Sequence, residues 1–257
     1  VVGCGSPSLV LIHDGQADAV IVVADQAPAT AHAAADTLRH YLQRMSGAEL
    51  AVVAPPANQA NTRVVMAVDP GRADLGDDGF RIHTEDDALH LTARTGDGLR
   101  HAVYTLLETL GCRKYSVEPV TVPHLATLTV PPLDLTQVPR FSFRMQDLHD
   151  PAYLAWHKLD TNEDFGLFVH TFDDLVPPGR HFAEHPEYFS LINGHRTPAG
   201  QLCLSNPEVL DVVVADLRRR MAANPEAIFW SVSQNDTYAW CECEHCRALN
   251  EAAGSPS

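Results

Sequence analysis

Three cysteines lie close together near the end of the chain, in the pattern Cys241-x-Cys243-x-x-Cys246. A fourth, Cys203, stands directly before the preceding predicted helix. Four thiolates form a closed tetrahedral site, which suits structural zinc rather than a catalytic metal. Disulfides would compete in an oxidising compartment, and free thiols are the remaining interpretation. In each case we expect the cluster to hold the loop before it, whereas Cys112 follows a core helix and is predicted to be a plain buried thiol.

That loop begins with Gln234-Asn235-Asp236, directly after the apolar run of residues 228–233. Such a run is typical of a buried strand. Since α/β barrels carry their active sites at the carboxyl ends of parallel strands, this amide and this carboxylate are candidates for catalysis. Asn and Asp also cap helices and form turns, and that structural role is the alternative.

The elements that must position these residues begin with a separate N-terminal region. Its pattern predicts the order β-α-β-β-β-α, with strands near residues 20–23 and 64–66, a hairpin of residues 80–83 and 89–93, and helices ending at Gly47 and Gly111. Two helices on one face of a small mixed sheet form a complete pair of layers. Prolines mark the exit, so we predict a small α+β domain over residues 1–137.

Beyond residue 137 the pattern changes to strands alternating with loops and helices. Strands are predicted at residues 141–144, 166–170 and 228–233, with helices near residues 153–158 and from Pro207 onward. Such alternation favours parallel βα units. A complete (β/α)8 barrel takes roughly 250 residues. We therefore predict an α/β protein in which residues 138–257 form the first part of a TIM-type barrel, truncated at the C-terminus, so that the chain is a fragment.

The charge balance narrows the possible partners. The chain has 18 Lys and Arg against 33 Asp and Glu, a formal net charge of -15 at pH 7. This charge would repel a phosphate backbone, so nucleic acid is not expected as a partner. No run approaches the roughly 20 apolar residues of a transmembrane helix. Val1-Val2-Gly3-Cys4 is similar to the end of a bacterial lipoprotein signal, with an ordinary N-terminal strand as the alternative.

Five segments spread along the chain share a recognisable pattern. They are Leu110-Gly111-Cys112-Arg113-Lys114-Tyr115, His170-Thr171-Phe172, His185-Pro186-Glu187-Tyr188-Phe189, Gln201-Leu202-Cys203-Leu204-Ser205-Asn206-Pro207-Glu208-Val209 and Ser231-Val232-Ser233-Gln234-Asn235-Asp236 with the cysteines that follow. Together they resemble the bacterial domain of unknown function 4838 family, which is linked to glycoside hydrolase family 163. Residues 1–137 also look like the accessory domain that precedes the barrel in α-glucuronidases and β-hexosaminidases.

The resemblance implies an O-glycosyl hydrolase, an endo-β-N-acetylglucosaminidase that cuts the chitobiose core of complex N-glycans. In a substrate-assisted retaining mechanism the 2-acetamido oxygen of the sugar attacks the anomeric carbon. The protein then supplies Asp236 as general acid and base and Asn235 as a hydrogen-bond partner of the acetamido group. No cofactor is expected for catalysis. A non-catalytic glycan-binding or scaffolding protein and an α-glucuronidase-like hydrolase are the alternatives.

Four further residues are candidates for substrate binding. His170 ends a predicted strand and would hydrogen-bond a sugar hydroxyl at the barrel mouth. Arg144 and Asp147 follow the first predicted barrel strand. Tyr238 lies in the loop after Asp236, where its ring can stack on a sugar. The resemblance implies a glycan or glycoprotein substrate and a protein that is secreted, periplasmic or lipid-anchored at the bacterial cell surface.

Overall fold

A computed structural model of the chain describes residues 8–57, 60–146 and 150–255. Residue contacts divide the chain into two units, Val1–Asp160 and Thr161–Ser257. Residues 1–4, with their predicted lipid-attachment signal, lie outside the described residues, as does the candidate Asp147. Within the described ranges, no helix combines the length and apolar character needed to cross a bilayer.

The first unit is built on a mixed sheet. Six strands lie in the order β4-β3-β5-β7-β6-β9, and β2-β1-β8 form a smaller antiparallel sheet. The predicted mixed sheet with two long helices is therefore confirmed. The elements are β1 (Leu9–His13), β2 (Gln16–Ala17), β3 (Ala19–Val22), α1 (Ala29–Ser46), β4 (Val52–Val53), β5 (Thr62–Val68), β6 (Phe80–Glu85), β7 (Ala88–Ala93), α2 (Gly96–Thr109), β8 (Leu128–Val130), β9 (Asp134–Gln137) and α3 (Pro151–Trp156).

The two long helices form where the apolar spacing predicts them. Helix α1 ends at Gly47, whose φ of 81° is the left-handed conformation that costs glycine least. Helix α2 begins at Thr95, whose hydroxyl oxygen accepts a hydrogen bond from Gly98 N at 3.1 Å. The helices contact each other and the sheet. Their buried apolar faces consist of Ala31, Ala34, Leu38, Leu42 and Met45 in α1 and Leu99, Val103, Leu106 and Leu107 in α2.

Residues 138–160 belong to the first unit, although the sequence predicts a boundary near residue 137. Strand β9 does end at Gln137. Beyond it, however, Trp156 of α3 is buried and its Nε1 donates a hydrogen bond to Glu108 Oε1 at 3.0 Å. The guanidinium of Arg144 forms an ion pair with Asp78 at 2.9 Å. These contacts attach the segment to the first unit.

The prediction of a strand at residues 141–144 is wrong. None of these residues has strand pairing in the described structure. Phe141 is 73% exposed, and Arg144 N donates to Asp160 Oδ2 at 2.5 Å rather than to the carbonyl of a neighbouring strand. The alternation of aromatic and polar residues gave the strand signal, but a strand also needs an open sheet edge to pair with.

The second unit has shorter strands. Strands β10 and β13 pair in parallel, and the chain between them contains the long helix α6, so they form a β-α-β crossover. This confirms parallel pairing here, while the barrel around it stays a prediction. The elements are β10 (Phe165–Leu167), α4 (Phe172–Leu175), α5 (Pro178–His181), β11 (Leu191–Ile192), β12 (His195–Arg196), α6 (Pro207–Ala223), β13 (Phe229–Trp230) and α7 (Glu244–Ala253).

Both parallel strands are shorter than predicted. Strand β10 ends at Leu167, and His170 lies in the loop beyond it with a φ of 56°. Strand β13 contains only Phe229 and Trp230. The expectation that His170 closes a strand is therefore wrong, because a left-handed backbone cannot continue a strand.

Candidate functional site

The loops that follow β10 and β13 are joined by hydrogen bonds of Thr171, which is buried. Thr171 N and Phe172 N both donate to Ser233 O, at 3.0 and 3.2 Å. Thr171 Oγ1 donates to Ser231 O at 3.1 Å and accepts from Ser233 N at 3.0 Å. Side-chain hydrogen bonds thus continue the parallel pairing after the regular strands end, and they align the two loops.

Hydrogen bonds link polar residues of these two loops and of the segment before α6, with Asp236 next to Asn235 in the chain, and we call five of these residues the strand-end cluster. The cluster comprises His170, Asp173, Gln201, Asn235 and Asp236. It joins the two predicted catalytic residues to one predicted binding residue and to two residues that the sequence interpretation missed. The carboxyl ends of parallel strands are the usual position of functional groups in α/β proteins.

His170 is fixed against the loop that carries the predicted catalytic residues. Its backbone N donates to Ser233 Oγ at 3.0 Å, and its Nδ1 lies 3.1 Å from the Gln234 carbonyl oxygen. Because a carbonyl oxygen only accepts, Nδ1 carries the hydrogen. In the neutral ring, Nε2 is then a hydrogen-bond acceptor on an exposed side chain.

Asn235 makes most of its hydrogen bonds within the protein. Its Nδ2 donates to Asp173 Oδ1 at 2.8 Å and to Gly200 O at 3.1 Å, and its Oδ1 accepts from Asp173 N at 3.3 Å. The side chain therefore positions Asp173. The predicted hydrogen bond from Asn235 to an acetamido group stays a prediction.

Gln201 shapes the loop that presents Asp236. Gln201 is 1% exposed. Its Nε2 donates to Asn235 O and Thr237 O, both at 2.7 Å, and its Oε1 accepts from Asn235 N at 2.9 Å. A single buried amide thus satisfies three backbone groups around Asp236, whose own side chain is exposed.

The remaining predicted binding residues are placed differently. Tyr238 follows the cluster in the same loop and is 93% exposed. Arg144 belongs to the first unit, and its guanidinium also donates to Lys158 O at 3.1 and 3.2 Å and to Phe141 O at 2.7 Å. These bonds, together with the Asp78 ion pair, occupy the guanidinium with groups of its own unit. Its role in substrate binding stays a prediction.

The four cysteines expected to act together do lie together. The Sγ atoms of four residues lie within 4.8 Å of one another, and these residues are Cys203, Cys241, Cys243 and Cys246. Burial raises the pKa of Cys243, but hydrogen bonds from Ser205 and neighbouring groups outweigh it and lower that pKa to about 6. Cys112 lies in the first unit, where burial raises its pKa to about 11.

Several solved structures resemble the chain. A family 20 exo-β-N-acetylglucosaminidase from Vibrio harveyi, in complex with N-acetylglucosamine, is 16% identical with a TM-score of 0.44, over 98% of this chain and 48% of that one. A β-N-acetylhexosaminidase from Streptomyces coelicolor is 26% identical with a TM-score of 0.40, over 55% and 25%. An N-acetyl-β-hexosaminidase from Streptomyces plicatus is 24% identical with a TM-score of 0.39, over 55% and 25%. The chain spans less than half the length of these structures.

Two protein families match the sequence, whereas no curated protein does. Residues 14–126 match "Glycosyl hydrolase family 20, domain 2". Residues 114–257, more than half of the chain, match "Domain of unknown function (DUF4838)". The motifs resemble the DUF4838 family, and residues 1–137 look like the N-terminal domain of hexosaminidases, so both resemblances are confirmed. The chain belongs to the DUF4838 family.

Proposed function

We propose that this chain is part of a glycoside hydrolase, an endo-β-N-acetylglucosaminidase that acts on complex N-glycans. The match of residues 14–126 to a domain of glycosyl hydrolases supports the reaction class. The observation that carries the proposal is the strand-end cluster, in which Asp173, Asp236 and His170 belong to loops at the carboxyl ends of a parallel strand pair. The crossover from β10 to β13 would be one part of a (β/α)8 barrel.

The proposed reaction uses the acetamido group of the substrate. Its carbonyl oxygen attacks the anomeric carbon, the bond to the leaving sugar breaks, and protonated Asp236 gives its proton to the leaving oxygen. A cyclic oxazolinium intermediate results. Water then adds to the anomeric carbon and transfers a proton to the Asp236 carboxylate, while the ring reopens to the acetamido group. Two displacements at the same carbon retain its configuration.

Asp173 has the chemistry to orient the acetamido group. Its Oδ1 accepts from Asn235 Nδ2 at 2.8 Å, and its Oδ2 makes no hydrogen bond with the described residues. That second oxygen can accept the acetamido N–H and stabilise the positive charge of the intermediate. In this arrangement Asn235 acts through Asp173. His170 Nε2 and the Tyr238 ring would contact the sugar through a hydroxyl and by stacking.

The test is release of glycan from a complex N-glycoprotein by the full-length protein, followed by mass spectrometry. Asp236→Asn should reduce turnover by about 100- to 10,000-fold, the usual contribution of general acid–base catalysis. Asp174→Asn is the matched control because Asp174 is also an exposed aspartate near the cluster, and it should keep activity. A thiazoline analogue of the cyclic intermediate should inhibit. Undiminished turnover by Asp236→Asn would contradict the proposal.

One observation favours a second candidate, a glycan-binding protein without turnover. Both hydrogens of the Asn235 side-chain amide are already donated within the protein, to Asp173 and Gly200. If the cluster is only structural, glycan binding should survive Asp236→Asn and Asp173→Asn, and no product should form with any variant. Isothermal titration with the intact N-glycan and with the isolated core sugar would measure that binding.

A further inference from the structure

We propose that Cys203, Cys241, Cys243 and Cys246 bind one structural Zn²⁺ ion. Cys203 lies just before α6, Cys241 and Cys243 lie in the loop before α7, and Cys246 lies in the first turn of α7. All three parts of the chain belong to the second unit, and their Sγ atoms converge within 4.8 Å. The inference does not depend on the proposed glycosidase activity.

The sulfur atoms have the spacing of metal-bound thiolates. With Zn–S bonds of about 2.3 Å, two corners of a tetrahedron are about 3.8 Å apart. Cys203 Sγ lies 3.7 Å from Cys243 Sγ and 3.9 Å from Cys246 Sγ. A disulfide bond is about 2.05 Å long, so the arrangement suits a central ion better than paired cysteines.

The donor set selects the type of metal and its role. Soft thiolate ligands in a tetrahedral arrangement suit zinc or iron, whereas calcium and magnesium prefer oxygen. Four thiolates leave no open position for water or substrate, which is the arrangement of a structural site. Cys203, Cys241 and Cys246 are each 3% exposed. Burial therefore limits access of water to the ion.

Neighbouring donors compensate the charge that four thiolates would carry. Zn²⁺ with four thiolates has a net charge of about -2, which is costly away from water unless hydrogen bonds and cations surround it. Leu191 N donates to Cys241 Sγ at 3.4 Å, and Cys246 N donates to Cys243 Sγ at 3.4 Å. The guanidinium of Arg196 lies 3.7 Å from Cys241 Sγ. These donors form an outer shell of the kind that metal sites use.

The ion would also fix the strand-end cluster, because the two sites are adjacent along two segments. Gln201 stands two residues before Cys203, and Ala239 stands two residues before Cys241. Gln201 N donates to Ala239 O at 3.1 Å, and Ser190 Oγ donates to the same carbonyl at 2.9 Å. Zinc would therefore anchor both ends of the hydrogen-bond network that holds the Asp236 loop.

The experiment measures metal bound to the full chain, purified with a reducing agent and dialysed against metal-free buffer. Inductively coupled plasma mass spectrometry should find one zinc per chain. Cys203→Ala and Cys246→Ala should each lose that zinc. Cys112→Ala is the matched control, since Cys112 is equally buried but lies outside the cluster, and it should keep the full zinc content.

A second measurement uses the unaltered chain, so that misfolding of a variant does not decide the result. Zinc is removed with a chelator and replaced by Co²⁺ under reducing conditions. Cobalt should give the visible absorption of a tetrahedral thiolate site and should be displaced by one equivalent of zinc. Iron in place of zinc, disulfides among the four cysteines under native conditions, or no cobalt spectrum from the reduced chain would each overturn the proposal.

Discussion

The two units of this chain reach an ordered structure by different means. In the first unit, β5 has seven residues, β6 and β7 have six each, and two long helices supply continuous apolar faces. In the second unit, β10 has three residues and β13 has two. Strands that short bury little apolar surface. A smaller apolar cluster that includes Leu167, Phe172 and Val209 packs beside them, and the side chains of Thr171 and Gln201 align the loops beyond the strands.

The difference indicates where each unit is sensitive to change. A unit held by an apolar core loses stability in proportion to the volume removed from that core. The loops of the second unit are positioned by a polar network as well, and such a network loses stability when one buried partner is removed, because the groups left behind have given up water without compensation. The same type of substitution should therefore have different effects in the two units.

The largest expected effect follows removal of the proposed zinc. Structural zinc contributes about 10–16 kcal/mol in small metal-dependent domains, so its loss should unfold much of the second unit. Limited proteolysis with mass spectrometry, before and after treatment with a chelator, should show new cleavage within residues 185–250. The first unit should keep its resistance, since Cys112, its one cysteine among the described residues, is not part of the cluster. An equal loss of protease resistance in both units after treatment with the chelator would contradict this prediction.

The next effect concerns the apolar core of the first unit. Leu38 in α1 is 0% exposed. Leu38→Ala should lower the free energy of unfolding by about 2–5 kcal/mol, through lost burial and the cavity that remains. Leu210→Ala is the matched control because Leu210 in α6 is 63% exposed, and it should have almost no effect. Urea denaturation followed by hydrogen exchange would assign the loss to the first unit, and a loss confined to the second would contradict this.

The sequence predicted the helices and the hairpin of the first unit better than it predicted the site residues of the second unit. Apolar residues recur at helical spacing in α1 and α2, and the residues at the helix ends favour the observed ends, so the sequence predicted both helices. It also predicted the hairpin of β6 and β7. It also associated Cys203 with the three later cysteines. The helix and hairpin predictions rest on local sequence pattern. The cysteine prediction was possible because cysteine is rare in this chain, so the few that occur could be considered together.

The missed residues depend on contacts between distant parts of the chain. Asp173 and Asn235 are separated by 62 positions, and Gln201 and Asn235 by 34. An aspartate at the start of a short helix and a glutamine before an apolar residue have no distinctive local signal. The one sequence feature that could have identified Gln201 is its position at the start of a segment that resembles the DUF4838 family. The left-handed His170 also went unpredicted, because its conformation follows from Ser233 and Gln234 across the strand pair.

A smaller effect should follow removal of the Gln201 amide. Gln201→Leu keeps most of the side-chain volume but leaves Asn235 N, Asn235 O and Thr237 O without their partner. Each buried polar group left unpaired costs about 1–3 kcal/mol, less where water can enter. Hydrogen exchange at residues 235–237 should accelerate. Gln43→Leu, at an exposed position in α1, is the control and should leave exchange there unchanged.

The smallest effect concerns pH and the first unit alone. Burial lowers the pKa of His101 from its ordinary 6.5, and the hydrogen bond to Asp78 O opposes this only in part. The unfolded chain therefore binds a proton at His101 more readily than the folded chain does. As pH falls below about 6.5, the free energy of unfolding should decrease, until the pH passes the lowered pKa of the folded state and the decrease ends.

His101→Asn removes this titration while keeping a side-chain donor near Asp78 O. Urea midpoints of the first unit, measured between about pH 7.5 and pH 5, should therefore fall less steeply for the variant than for the unaltered chain. The exposed His124 provides the matched control, and His124→Asn should keep the original slope. If His101→Asn also kept that slope, the acid sensitivity of the first unit would have to come from another group, with His90 next, since burial lowers its pKa as well.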